Sequence, residues 1–178
     1  MKRALRQVFL LLSLITGPLA AQLWPPGPPV AVAANAGTFE VLDSVSAYEM
    51  GWELRFAARR FRFLPGWAPD LMPTAGVMAS SRGAIYPYIG FRFDVPLGDR
   101  WGSRWVVSPG SAAGLYYRDR GKNLGGALEF RSHVELAYLL PGGSRFGLCF
   151  YHLSNGGLFD FNPGTESAVL TYSVKLRN

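Results

Sequence analysis

Cysteine and histidine are scarce in this chain of 178 residues, which contains one cysteine and two histidines. A single cysteine cannot close an intramolecular disulfide, and it cannot supply a zinc site of four cysteines or of two cysteines and two histidines. The longest apolar stretch, near the N-terminus, is well short of the roughly 20 residues that a helix needs to cross a bilayer. These shortages argue against disulfide scaffolds, zinc modules of these types and helical membrane spans.

Charged residues make up 17% of the chain, with 18 Lys+Arg against 12 Asp+Glu. A basic surface is compatible with nucleic acid, anionic lipid or lipopolysaccharide phosphates as partners. Because no basic patch interleaved with aromatic residues forms a recognisable nucleic-acid motif, we expect no nucleic-acid partner. Arg59, Arg60 and Arg62 are candidates for contact with lipid phosphates, although charges in a solvated turn explain them equally well.

The N-terminal segment has the three parts of a secretory signal peptide. Lys2 and Arg3 give a positive start, Val8–Ile15 is apolar apart from one serine, and small residues follow at Ala20 and Ala21. A short membrane anchor is the alternative, but the apolar stretch is too short to span. We therefore predict a signal peptide over 1–21 and a proline-rich linker over 22–35.

From about residue 36, apolar and polar side chains alternate in segment after segment. In Tyr48–Arg59, for example, large apolar residues occupy one face and charged residues the other, as in a strand with two different environments. The 21 glycines and 13 prolines favour short strands and many turns. We predict eight strands, at 36–45, 47–62, 71–80, 84–96, 103–117, 126–140, 144–155 and 166–177. Pro109, inside the fifth, would mark a bulge or bend.

Alternation alone does not say which face points inward. A soluble β-sandwich would place its polar face in water, whereas a membrane barrel turns its apolar face to lipid and encloses a polar network. The signal peptide, segments of about 10 residues and the aromatic content of 14% favour the second arrangement. The predicted fold is an all-β, eight-stranded antiparallel transmembrane barrel over residues 36–178.

One predicted hairpin carries residues capable of catalysis. His152 and Ser154 share the apolar face of their strand, and Glu166 lies on the same face of the next strand. A serine, a histidine base and an orienting carboxylate are the parts of a nucleophilic triad. By the same alternation, His133 and Cys149 face the barrel interior, where we expect a structural role.

The presence of these three residues can also be explained without a function. A histidine and a serine two residues apart occur often by chance, and a charge at the membrane boundary would explain Glu166. Three polar groups at the end of a lipid-facing surface are, however, costly to keep there. That cost favours a functional interpretation.

The same residues carry a family resemblance. His152–Gly157 (His-Leu-Ser-Asn-Gly-Gly) and Asn162–Ser167 (Asn-Pro-Gly-Thr-Glu-Ser) resemble the C-terminal signature of the lipid A 3-O-deacylase family, and Leu128–Phe130 resembles its sixth strand. The resemblance implies an enzyme that hydrolyses the ester of the 3-hydroxyacyl chain at position 3 of lipid A. It also implies an outer-membrane barrel of a Gram-negative bacterium. If both termini are periplasmic, as in eight-stranded outer-membrane barrels, the predicted seventh strand runs outward and the site lies at the depth of the outer leaflet.

The resemblance further implies a role for each site residue. Ser154 would be the nucleophile, His152 the general base and Glu166 the orienting acid. Asn155 and the backbone of Gly156 and Gly157 would support the oxyanion. Phe130 and Phe150, on the same outward face, are expected to contact substrate. We expect no metal and no organic cofactor. The expected partners are lipopolysaccharide and outer-membrane lipids, and the oligomeric state stays open, a homodimer included.

Three alternatives compete with this interpretation. An outer-membrane phospholipase A also uses histidine and serine, but its barrel has more strands than this chain can supply. A non-enzymatic small barrel would be indifferent to the loss of the Ser154 hydroxyl. A soluble lipid-binding barrel would fractionate apart from the outer membrane.

Overall fold

The computed structural model describes residues 29–43, 47–60, 65–98 and 104–176. The predicted signal peptide, 1–21, lies outside these residues. Within them, no helix is long and apolar enough to cross a membrane. The strands are β1 (Pro29–Phe39), β2 (Ala47–Phe56), β3 (Met72–Ser80), β4 (Ile85–Arg92), β5 (Val95–Pro96), β6 (Trp105–Leu115), β7 (Leu128–Leu139), β8 (Arg145–Ser154) and β9 (Thr165–Lys175), with a 3₁₀ turn at Pro141–Gly143.

The eight long strands of the described residues close into an antiparallel barrel. β1 to β4 pair in chain order, as do β6 to β9, while β9 pairs with β1 and β4 pairs with β6. The two-residue β5 adds to the edge of β6 beyond the end of β4. The predicted all-β barrel of eight strands is therefore confirmed, and among the described residues each of the eight long strands pairs on both sides.

The first strand begins earlier than the sequence predicts. β1 spans Pro29–Phe39, so residues 29–35 belong to the barrel, and the predicted linker can extend only through 22–28, outside the described residues. The prediction of a strand at 36–45 is wrong because β1 is rich in alanine, and small residues on both faces hide the alternation. Pro29 is tolerated at the first position of a strand, where its missing N–H does least harm.

The middle of the barrel also differs in two details from the sequence prediction. Pro109 lies inside β6, opposite Val134 of β7, and the pairing continues through it without a shift of register. The predicted fourth strand, 84–96, is divided into β4 and the short β5.

Burial decides which face of each strand points inward. The outward face carries large exposed apolar side chains, such as Trp52, which is 60% exposed, and Leu148, which is 55% exposed. The inward face carries buried charges, among them Glu53 and Arg55. An apolar exterior around a charged interior is the pattern of a barrel in a bilayer, and it is the reverse of a soluble sandwich.

Four inward charges from three strands, β2, β4 and β7, form a network across the interior. Arg92 Nη2 lies 3.0 Å from Glu135 Oε1, and Arg55 Nη2 lies 2.8 Å from Glu135 Oε2. Arg55 Nε also donates to Glu53 Oε1 at 2.9 Å. These charge-assisted hydrogen bonds offset part of the cost of burying the four charges. His133 and Cys149 lie in the same interior, where the sequence places them.

Glu135 links two arginines, and its charge is therefore expected to support the barrel. We expect Glu135→Gln to lower the free energy of unfolding by about 3–5 kcal/mol, because it removes one of the two carboxylates that Arg55 and Arg92 share and leaves Glu53 to neutralise both. Denaturant titration of the protein folded in vesicles measures this. Glu129→Gln is the matched control: Glu129 is buried in the same strand, but among the described residues its carboxylate forms no ion pair with an arginine. Equal costs for the two variants would contradict the network's role.

Loop 116–127 covers the end of the barrel where β8 finishes, which we call the site end. Lys122 Nζ lies 2.7 Å from Asp43 Oδ2, and the Lys122 backbone N–H donates to Glu40 Oε1 at 3.1 Å. Leu124, 1% exposed, fills the space beneath. These contacts tie the loop across to the β1–β2 connection and place a packed surface beside the end of β8.

Candidate active site

The β8–β9 hairpin brings His152 and Glu166 side by side on the outward face. The two residues are direct partners in the β8–β9 register. Ser154, the last residue of β8, lies two positions beyond His152 on the same face. The structure therefore gathers the three predicted residues at the site end of the barrel, outside the lumen.

A hydrogen bond joins the histidine to the carboxylate. His152 Nδ1 lies 3.0 Å from Glu166 Oε1, and the two side chains are 43% and 28% exposed. An ionised carboxylate only accepts hydrogen bonds, so the hydrogen of the neutral imidazole must be on Nδ1. Nε2 is then the nitrogen whose lone pair is available to take a proton. The pair has the geometry of an oriented general base.

Gly164 fixes the side on which the imidazole ring lies. A Cβ atom built at Gly164 would be 2.5 Å from His152 Cε1 and 3.1 Å from Nε2, and Gly164 has a positive φ of 64°. Gly164 comes one residue before Thr165, the partner of Leu153, so it is level with Ser154. The Cε1–Nε2 edge of the ring therefore faces the site end, toward the level of Ser154. Sequence reasoning did not assign this glycine a role, although its Pro-Gly context signals a turn.

Alanine at Gly164 is expected to displace the imidazole and slow turnover. The added methyl group would occupy the space of the ring edge, and a misplacement of about 1 Å can cost on the order of 100-fold in rate. Ester hydrolysis by the purified variant measures kcat. Gly98→Ala is the matched control, since Gly98 has a φ of 60° and nothing within 4 Å of its added Cβ. A similar loss of kcat in both variants would show that backbone strain, and not the histidine, is responsible.

Ser154 is partly exposed and stands opposite Phe130 of β7. Among the described residues, the Ser154 hydroxyl makes no hydrogen bond, and the imidazole of His152 bonds only to Glu166. Serine and histidine at positions i and i+2 of a strand are about 6.7 Å apart at Cα, so their side chains can lean together. Contacts between nucleophile and base are often long before substrate binds. The Ser154 side chain must therefore rotate toward His152 Nε2 before the imidazole can take its proton.

Asn155 faces the barrel interior and holds two loops together. Its Nδ2 donates to the carbonyl oxygens of Leu124 and Phe161, at 2.8 and 2.9 Å, and its Oδ1 accepts from Gly157 N at 3.0 Å. Its backbone N–H donates to Asn162 Oδ1 at 3.1 Å. Both hydrogens of the Asn155 amide are therefore committed to loop carbonyls, which suits a positioning role.

The backbone of the same turn offers one uncommitted donor. Of the three N–H groups at 155–157, those of Asn155 and Gly157 have acceptors within the described residues, and that of Gly156 has none there. Gly156 has a positive φ of 63°. Its N–H, two residues after the serine, is the best-placed candidate in this turn for stabilising an oxyanion.

Aromatic side chains surround Ser154 on the outer wall. Phe150, 42% exposed, lies before His152 on β8, while Phe130 pairs with Ser154 from β7. A Cβ built at Gly156 would be 3.4 Å from the Phe130 ring, so the turn rests against it. Phe159 and Phe161, in the loop after β8, are also exposed, and sequence reasoning overlooked both. The serine therefore lies within an apolar surface suited to a fatty chain.

The other predicted contact residues lie elsewhere. Arg60 follows β2 at the end of the barrel opposite Ser154, where it donates to the carbonyl oxygens of Pro65, Gly66 and Ala68. Arg59 bridges to Leu71 in the same region, and Arg62 lies outside the described residues. Arg59 and Arg60 are therefore remote from the candidate site. Within the residues that the structure describes, no group of three or more His, Cys, Asp or Glu side chains could hold a metal ion.

Comparison with known proteins gives three results. The model of the lipid A 3-O-deacylase (PagL) family matches residues 46–175. The lipid A deacylase PagL of Bordetella bronchiseptica is 34% identical over 82 residues, which cover 43% of this chain and 45% of that relative. The chain thus spans about half the length of the curated relative that it matches. A crystal structure of the outer membrane enzyme PagL superposes with a TM-score of 0.63 at 21% identity, covering 82% of this chain and 99% of the other. At this level of sequence identity, the structural similarity supports the assignment of the fold alone.

Proposed function

Because the chain belongs to the lipid A 3-O-deacylase (PagL) family, we propose that it hydrolyses the ester of the 3-hydroxyacyl chain at position 3 of lipid A. In this proposal Ser154 is the nucleophile, His152 the general base and Glu166 the group that orients the base. Water is the second substrate, and the products are a free 3-hydroxy fatty acid and lipid A with one acyl chain fewer.

The observation that carries the proposal is the His152–Glu166 hydrogen bond on the outer wall of the barrel. Outward positions of β8 and β9 otherwise hold apolar or aromatic side chains, apart from Ser154. An ionisable pair on such a surface is costly unless it has a use. The position of Ser154, two residues beyond His152 on the same face of β8, suggests this use, because a serine is the partner that an oriented imidazole activates.

Acylation begins with attack by Ser154 Oγ on the ester carbonyl carbon. Nε2 of His152 takes the serine proton as the new carbon–oxygen bond forms, and Glu166 stabilises the resulting imidazolium. The tetrahedral intermediate collapses, and the bond between the carbonyl carbon and the sugar oxygen breaks. Imidazolium Nε2–H then protonates the leaving sugar oxygen, which leaves the acyl chain on Ser154.

Deacylation repeats these steps with water as the nucleophile. His152 Nε2 removes a proton from water, the hydroxide oxygen attacks the acyl carbon, and Ser154 Oγ leaves with the proton returned by the imidazolium. In both halves the Gly156 N–H donates to the developing oxyanion. Asn155 keeps that donor in place by anchoring the turn to Leu124 and Phe161.

Substrate enters from the side, since the site is on the lipid-facing wall. The protein spans the outer membrane of a Gram-negative bacterium with its site end outermost, at the depth of the outer leaflet, where lipopolysaccharide is found. Residues 1–21 act as the export signal that this location requires. Phe130 and Phe150 line the path of the acyl chain.

Mass spectrometry of lipid A from cells expressing the protein tests this function. Cells with the wild-type chain are expected to lose one 3-hydroxyacyl chain from position 3, and cells with Ser154→Ala to keep it. Both proteins must first be shown to be folded in the outer membrane. Unchanged lipid A in the presence of folded wild-type protein would overturn the proposal, and loss of phospholipid acyl chains instead would favour a phospholipase.

A further inference from the structure

A row of polar side chains crosses the outer wall at the level of His152. Ser111 of β6 pairs with Ser132 of β7, Ser132 pairs with His152 of β8, and His152 pairs with Glu166 of β9. The proposed mechanism uses His152 and Glu166, and it assigns no role to Ser111 or Ser132. Ser132 is exposed, and among the described residues its hydroxyl makes no hydrogen bond within the protein.

The surroundings of Ser132 are otherwise apolar. The remaining outward positions of β7 are Leu128, Phe130, Val134, Leu136 and Tyr138. A hydroxyl on a surface that faces fatty chains loses its hydrogen bonds to water, at a cost of roughly 1–3 kcal/mol unless another partner replaces them. The cost falls away when a bound lipid brings a polar group to this position.

We propose that Ser132 is a substrate-binding residue whose hydroxyl hydrogen-bonds the hydroxyl on the third carbon of the acyl chain. The inference rests on the proposed function and deepens it, because it names the residue that distinguishes a 3-hydroxyacyl ester from a plain acyl ester. Ser132 takes no part in bond breaking.

The β7–β8 register places Ser132 at a distance from Ser154 that suits a hydrogen bond to the third carbon's hydroxyl. Ser154 stands opposite Phe130, so Ser132 is its diagonal neighbour, roughly 7–8 Å away between backbone positions. An ester whose carbonyl carbon is beside the Ser154 hydroxyl has its third carbon two bonds farther along the chain. That carbon reaches the space between the two serines, next to the imidazole of His152.

The imidazole is turned away from Ser132. The Cε1–Nε2 edge of His152 lies against Gly164, on the β9 side of β8, whereas Ser132 lies on the β7 side. Nε2 therefore serves Ser154 and does not activate Ser132 as a competing nucleophile. With the imidazole of His152 oriented in this way, Ser132 can serve as a hydrogen-bond partner of the substrate.

The test compares two esters in detergent micelles. Both are glucosamine derivatives acylated at the 3-oxygen, one with a 3-hydroxytetradecanoyl chain and the other with a tetradecanoyl chain. Ser132→Ala is expected to lower kcat/KM for the hydroxylated ester about threefold to tenfold, the worth of one ordinary hydrogen bond, and to leave kcat/KM for the plain ester unchanged. Ser111→Ala is the matched control, since Ser111 has the same side chain in the same row, one strand farther from His152. It is expected to change neither value.

Every other outcome would contradict the assignment of Ser132 as the residue that binds the hydroxyl of the acyl chain. Equal losses on both esters would give Ser132 a structural role, and no loss on either would give it none. Abolished turnover on both esters, in protein shown to be folded and with Ser154→Ala still active, would make Ser132 the nucleophile. Wild-type protein that cleaves neither ester nor lipid A would overturn the proposed function, and the role of Ser132 with it. Wild-type protein that cleaves both esters equally would leave the proposed function intact and overturn the recognition of the hydroxyl.

Discussion

Alanine in place of Ser154 is expected to lower kcat for lipid A deacylation by on the order of 10⁴-fold or more. Without Oγ no acyl-enzyme can form, and the remaining acceleration comes only from substrate binding and the oxyanion donor. The measurement is the release of free 3-hydroxy fatty acid by purified protein in micelles. Because the Ser154 hydroxyl makes no hydrogen bond within the described residues, its loss is expected to leave the barrel's stability unchanged within about 0.5 kcal/mol.

A matched variant separates the loss of the nucleophile from a general disturbance of the outer wall. Ser111→Ala removes the same group from an outward position two strands away and is expected to keep full turnover. Residual turnover of Ser154→Ala within tenfold of the wild type, in folded protein, would exclude Ser154 as the nucleophile.

The second large effect is expected at the base and its partner. His152→Ala should be as damaging as Ser154→Ala, since it removes the group that takes the serine proton. Glu166→Ala should retain roughly 10- to 100-fold more turnover than His152→Ala, because a carboxylate that orients the base matters less than the base itself. Turnover of both variants, assayed side by side, measures the difference.

Glu166→Gln isolates the charge of the carboxylate from its hydrogen bond. The glutamine carbonyl can still accept from His152 Nδ1–H across the 3.0 Å contact, but it cannot stabilise an imidazolium by charge. We expect turnover between that of the wild type and that of Glu166→Ala. Equal and complete losses for His152→Ala, Glu166→Ala and Glu166→Gln would contradict this division of roles.

Strands with large side chains were predictable, and the alanine-rich strand was not. In β2 and β7, bulky apolar residues alternate with charges, so the period of two is legible, and the structure has β7 at Leu128–Leu139 against a predicted 126–140. In β1, alanines occupy both faces and the pattern disappears, so its beginning was misplaced. Closure of the barrel through β4 and β6 follows from pairing between strands, which local pattern does not encode.

The candidate site, like the fold, was predictable from the sequence only in part. Strand parity places His152, Ser154 and Glu166 on one outward face, and the structure has them there. The direct pairing of His152 with Glu166 depends on the path of the loop between β8 and β9, which alternation cannot give. The hydrogen bonds that turn Asn155 inward, and the contact of Gly164 with the imidazole, depend on that same path.

Labelling with a serine-directed fluorophosphonate tests the central claim most directly. The reagent bonds covalently to the oxygen of a serine that a neighbouring base activates, and peptide mass spectrometry locates it. Our account predicts complete inactivation with one phosphonyl group on Ser154, and no labelling of Ser154 when His152 is replaced by alanine. A label on Ser132, or full activity in protein labelled at Ser154, would contradict the account.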